Sequence, residues 1–283
     1  MKLVLSFLFL FLFTFVQTPA QEKVPDREMF LFHEDVIFPY MQEKYEKASK
    51  DFTEMMKEAN VEGSYRLIQL EYFTYNYITP VKDYDGLSKY MGMRTETMDK
   101  IGKDKVDETM SGFDGCYASH KNFLMTLRND LSYKPAYGLS SDEGLNFRHV
   151  DYLNLIPGKE DEAEELLKEY KALYGSKNIE EGYRVYFGGL GTDMPLVIFV
   201  QPAKGRTDWS TLSDRQDEQL GEEGSKLLDK FMAITQKFEH KNGVMRPDLG
   251  YSQKKIILFH ILIKGASAPF FLNIGSIFIF GVY

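Results

Sequence analysis

Two short stretches of the sequence have the residue types and spacing for proton chemistry: His33 with Asp35, and His149 with Asp151, each an H-x-D. Both fall in runs rich in strand formers, Met29 to Phe38 and Phe147 to Ile156. Residues i and i+2 of a strand share a face about 7 Å apart, close enough for a carboxylate to orient an imidazole as a general base requires. His149, Asp151 and His33 are therefore the candidate catalytic residues. Two ligands per pair are few for zinc, which takes three or four from protein, so no metal site is expected. The same histidines also read as partly buried or edge residues of a strand.

Tyrosine and arginine recur together at Tyr65-Arg66 and Tyr183-Arg184. Neighbours on a strand point to opposite faces, so only one of each pair can line a given pocket. A tyrosine turned inward would offer its hydroxyl to a ligand while the arginine pairs with a helix carboxylate. Tyr65, Tyr183, Tyr75 and Phe187 are accordingly the candidate ligand-binding residues; as strand residues of favoured type they also read as plain packing. Gly188-Gly189-Leu190-Gly191 lacks the spacing and the following helix of a phosphate cradle, and reads as a flexible hairpin tip. Cys116, the single cysteine, reads as a small core residue, and no disulfide framework is available.

The elements that must position these residues are disclosed by a repeat. LRNDLSY at Leu127 to Tyr133 returns as MRPDLGY at Met245 to Tyr251, 118 residues later. At that offset Pro39 falls on Pro157, Glu46 on Glu164, Lys50 on Lys168, Asn60 on Asn178 and Tyr65-Arg66 on Tyr183-Arg184. Four extra residues sit near the glycine-rich stretch, and the two H-x-D pairs are 116 residues apart, two out of step. The apolar pattern repeats as well. Tyr45, Ala48, Phe52, Met55 and Met56, and then Ala163, Leu166, Tyr170, Leu173 and Tyr174, keep the three- and four-residue steps of an amphipathic helix.

Strand-forming runs follow each helix, at Ser64 to Glu71 and Tyr75 to Thr79, then at Gly182 to Phe187 and Leu196 to Gln201. A longer helix comes next; in the second half Leu220, Leu227, Leu228, Phe231, Ile234 and Phe238 keep helical spacing. The R-x-D-L-x-Y segment supplies a last strand or its exit. Each half thus reads strand, helix, strand, strand, helix, strand, the ferredoxin-like order, whose antiparallel sheet carries both helices on one face. The other face stays apolar and needs a partner, which a second copy in the same chain can supply. The expected fold is α+β: two tandem ferredoxin-like repeats, residues 26–135 and 144–251, forming a dimeric-type α/β barrel within one chain with a pocket between its sheets.

The second half, HVDYLNLIPGKEDEAEELLKEYKALY with EGYRVYFGG and PLVIFVQPAKGRTDW, resembles the dimeric α/β-barrel superfamily, which includes antibiotic-biosynthesis-monooxygenase-like and NIPSNAP-like domains. The resemblance covers about Asn146 to Trp209 and reaches the first half through the internal alignment. It implies the barrel, whereas function does not follow from fold. The haem-degrading members use an Asn on the first strand, a Trp near the second helix and a His within that helix. Asn154 and Trp209 could take the first two parts, but no histidine occurs between His149 and His240, and no cofactor is expected.

At the N-terminus, Lys2, the apolar run from Leu3 to Val16 and Gln17-Thr18-Pro19-Ala20 form the pattern of a signal peptide over residues 1–20, which implies export to a periplasmic or extracellular location. Residues 252–283 form an apolar tail in which Lys264 is the only charge from Ile256 onward, read as a poorly formed membrane anchor, as a structured extension of two apolar strands about the GASAP turn, or as a reading-frame accident appended to a finished domain. A formal net charge of −8 without Lys/Arg runs argues against nucleic-acid partners. The leading expectation is an exported monomer or homodimer that binds a small apolar or amphipathic molecule between the two repeats. The rivals are a cofactor-independent oxygenase or isomerase, and a non-catalytic envelope scaffold.

Overall fold

The computed structural model describes residues 24–133 and 144–253. The expected signal peptide and nearly all of the apolar tail lie outside them. Strand β1 (Arg27–Ile37) leads through a short 3-10 turn that begins at Pro39 into helix α1 (Gln42–Glu58). There Tyr45, Ala48 and Met55 turn inward as their spacing predicts, joined by the buried Ser49 and Thr53. Strands β2 (Ser64–Leu70) and β3 (Thr74–Lys82), helices α2 (Tyr84–Ile101) and α3 (Lys103–Ser111) and strand β4 (Tyr117–Arg128) complete the first half. The second half contains β5 (Phe147–Leu155), α4 (Glu160–Ser176), β6 (Arg184–Gly188), β7 (Leu196–Ala203), α5 (Arg206–Ala233) and β8 (Thr235–Met245), followed by the short β9 (Tyr251–Ser252).

All pairings are antiparallel and run β3-β1-β4-β6-β7-β5-β8-β2, and β2 pairs back with β3 to close the ring. Closure leaves no bare edge, and the ring's interior holds its own apolar cluster, including Phe30, Ile68, Met125, Val150, Tyr186 and Ile198. The outer faces are covered by helices. Beneath α4 and α5 lie Leu153, Val185 and Val197, and beneath α1 lie Ile37, Leu67 and Tyr75. Where helices and interior both cover them the strands are therefore apolar on both faces, whereas the first halves of β4 and β8 are exposed and largely polar.

The repeated residues acquire physical reasons. Asn60 and Asn178 follow α1 and α4 in the left-handed region, φ 45° and 53°, the helix-ending conformation that asparagine tolerates. The repeated R-x-D-L-x-Y segments are the exits of the last strands, with Arg128 ending β4 and Tyr251 opening β9. They leave β4 and β8 and pack on the opposite half. Arg128 donates from Nε and Nη2 to Asp130 at 2.8 and 2.7 Å and forks onto Glu164 of α4, with Nη2 3.0 Å from Oε2. Arg246 reciprocates, binding Asp248 and reaching back to both carboxylate oxygens of Glu46 on α1 at 2.8 Å. Leu131 is buried in the core beneath α4, Leu249 in the core beneath α1. Tyr133 bridges to Tyr183, and Tyr251 of β9 pairs with Tyr65. Each half is clasped by the end of the other.

Three expectations need correction. Phe238 does not continue α5, which ends at Ala233; it lies half exposed on β8, so its helical spacing was coincidental. The glycine-rich stretch is not a free tip. Gly189 donates to the Leu124 carbonyl at 2.9 Å, Leu124 donates back to that of Leu190 at 2.9 Å, and the hairpin lies against β4. Gly191 has φ +89°, and a Cβ there would meet the Asn122 carbonyl oxygen at 2.6 Å, so only glycine permits that approach. The H-x-D pairs, out of step by sequence count, occupy the same place in each half: His33 stands opposite Asn122 and His149 opposite Asn242. The connections before α1 and α4, residues 38–41 and 156–159, are equally long; the offset lies in the strands, since β5 runs six residues past His149 and β1 four past His33.

Candidate functional site

Alternation decides which side chains enter the barrel. On β1 the inward residues are Phe32 and Glu34, so His33 and Asp35 face the helices; on β5 the inward residues are Arg148, Val150 and Tyr152, so His149 and Asp151 face outward too. The two pairs form similar constellations. His33 Nδ1 lies 2.9 Å from Asn122 Oδ1 and Nε2 3.1 Å from Asp35. His149 Nδ1 lies 2.9 Å from Asn242 Oδ1 and Nε2 3.0 Å from Asp151. Both ring nitrogens of each histidine are thus engaged, which suits an oriented structural imidazole rather than a base open to substrate. The His149 ring also stacks on Trp209 at 3.8 Å. Burial opposes a charge on His149, but the Asp151 carboxylate, aided by Asn242 and Glu71, outweighs it and raises the pKa above the ordinary value. Among the described residues, no group of three or more His, Cys, Asp or Glu is placed to hold a metal ion.

The four aromatic candidates also face the helices rather than the interior. Tyr65 shares a 2.8 Å hydroxyl contact with Thr53 of α1, and Tyr75 donates to Glu46 of the same helix at 2.7 Å. Tyr183 packs against Tyr170 and Tyr174 of α4. Phe187 lies beneath the Arg128 guanidinium at 5.2 Å. Their strand neighbours Asn76, Arg184 and Tyr186 line the interior instead. Alternation correctly separated the two sets, but with apolar surface on both faces it could not say which one faced the pocket. Cys116 is buried just before β4, in the core beneath α1.

The barrel encloses a cavity of about 190 Å³. Its waist is aromatic and aliphatic. Phe32 and Phe123 stack at 5.3 Å, with Tyr186 edge-on to Phe32 at 6.3 Å and Ile78 beside them. One end is polar. Asn76, Glu34 and Lys121 stand abreast on β3, β1 and β4, with Tyr152, Glu239 and Lys241 across the opening. Lys121 Nζ is 3.2 Å from Glu34, and Lys241 Nζ sits 5.5 Å over the Tyr152 ring. Burial, reinforced by the Glu34 and Glu239 charges, pushes the Tyr152 hydroxyl far above its usual pKa and keeps it protonated. Gly191, Thr192 and Asp193 of the β6–β7 hairpin reach into the same cavity. A signal for this end was present in the sequence, since His120-Lys121-Asn122 returns as His240-Lys241-Asn242.

No protein-family model matches this chain, and no curated protein matches its sequence. Solved structures do match its fold. An anthrone oxidase-like protein superposes with a TM-score of 0.52 at 14% identity, covering 78% of this chain and 92% of the other. A candidate monooxygenase from Fusobacterium nucleatum subsp. nucleatum superposes with a TM-score of 0.50 at 10% identity, covering 78% and 94%. The eight-stranded antiparallel barrel with its outer helices is that of the dimeric α/β-barrel class.

Proposed function

We propose that the chain is a small-molecule binding protein whose site is the barrel interior. The observation that carries this reading is the cavity itself, with a stacked aromatic waist below a polar end. A dry cavity of roughly 150 Å³ accepts benzene, so about 190 Å³ suits a one- or two-ring amphipathic molecule. The rest of the reading is a tandem ferredoxin-like duplication that builds its own barrel, and export directed by residues 1–20. The strand orders β4-β1-β3-β2 and β8-β5-β7-β6 and the reciprocal arginine clasps support the duplication. A closed ring within one chain favours a monomer or a loosely paired homodimer.

A thermal-shift screen of the purified full-length chain against one- and two-ring aromatics tests the binding reading. A ligand at 100 times its Kd stabilises by about 2.7 kcal/mol, which raises the melting temperature by several degrees. No shift with any of them rejects it.

A second reading, cofactor-independent oxygenation or isomerisation in the same cavity, is favoured by the Glu34 carboxylate beside the aromatic waist, where it could accept a proton from a bound ring system. The names of the two structures of like fold are compatible with it, although fold alone does not transfer activity. Turnover abolished in Glu34→Gln with ligand affinity retained would establish it.

A further inference from the structure

We infer that the ligand is an aromatic that carries an N–H or O–H donor, received by the side-chain carbonyl of Asn76. This deepens the binding reading above and rests on it. Asn76 is 3% exposed and lines the cavity. Its Nδ2 donates to Glu34 Oε2 at 3.3 Å, while its Oδ1 is buried without a hydrogen-bond partner among the described residues. The amide cannot turn over, because that would set its carbonyl against the Glu34 carboxylate. A buried acceptor left open is costly, so the site is built to receive a donor.

The surrounding geometry sets the rest of the ligand. Ile78, Phe32 and Phe123 stand abreast on the same three strands, two residues deeper than Asn76, Glu34 and Lys121. A flat ring lying on Phe32 and Phe123 therefore has its edge about 7 Å or less from the polar row, within reach of a ring N–H or hydroxyl. Charge leaves this unchanged. The lining holds Lys121, Arg148, Arg184, Lys237 and Lys241 against Glu34, Asp193 and Glu239, with Lys121 3.2 Å from Glu34, so no cation is demanded and the donor is set by Asn76.

Indole and indene test this, being nearly equal in shape and differing in the N–H. Indole is the better hydrated, so burial without an acceptor would favour indene; an acceptor reverses the order. Calorimetric titration of the full-length chain should give indole the tighter binding by about tenfold. In Asn76→Leu that preference should vanish, with indene bound about as tightly as before. If the variant does not fold, the pair of titrations on the unaltered chain decides alone. Equal binding, or tighter binding of indene, would mean that ordered water satisfies Asn76, and would overturn the inference while leaving the aromatic cavity standing. Failure of both probes to bind would overturn the binding reading and the inference together.

Discussion

Replacing Glu46 with glutamine removes the carboxylate that the Arg246 clasp grips. That guanidinium, helped by Gln42 and Tyr75 and opposed by burial, holds the Glu46 carboxyl at about 2 instead of its usual 4.5. Both side chains are at least four-fifths buried, so solvent screens the pair only weakly. The difference corresponds to about 3 kcal/mol of folding free energy at neutral pH. Because the folded-state pKa is the depressed one, this stabilisation is complete above 4.5 and is lost as pH falls toward 2. At pH 3 it should have shrunk to about 1.5 kcal/mol. Urea unfolding followed by circular dichroism measures it. With a slope of about 3 kcal/mol/M, Glu46→Gln should lower the midpoint by about 1 M at pH 7 and by about half as much at pH 3. An unchanged midpoint, or a loss of equal size at both pH values, would refute the view that this ion pair fastens the end of the second half to α1.

Two further outcomes are expected. Trp209 is the single tryptophan and stacks on His149, so a protonated imidazole should quench its emission. With the His149 pKa raised, the emission should climb with pH along a titration centred above 6.5, and the His149 contribution to stability should be present below 6.5 and lost across that climb; His149→Gln should flatten the curve, and a step that survives in that variant would assign it elsewhere. Gly191→Ala should cost about 2 kcal/mol, because alanine at φ +89° meets the Asn122 carbonyl oxygen and lifts the hairpin from β4. The same change should weaken binding of indole, since residues 191–193 line the cavity; full stability in the variant would show that the hairpin is not pinned.

Much of the fold was legible in the chain alone, and for local reasons. The helical stripe around Tyr45 and Ala48, the strand-forming runs after each helix and the repeat at 118 residues required only period and residue type. The repeat carried even the clasp: Glu46 and Glu164 recur, as do Arg128 and Arg246, although nothing in the sequence says that they meet across the halves.

The candidate site was less legible. Tyr65, Tyr75 and Phe187 lie on strands and Tyr183 at a bridge just before β6, and all four face the helices rather than the cavity; a strand covered by helices on one side and by the barrel interior on the other shows little polar contrast in sequence. Glu34, Asn76 and Lys121 are scattered across 88 residues and become a row only when β3, β1 and β4 pair in register. Side-chain period and local propensity are properties of neighbours along the chain, and the sequence by itself determined those. Which face closes inward, and which distant polar groups then share a wall, is decided by ring closure, and only the tertiary structure could decide it.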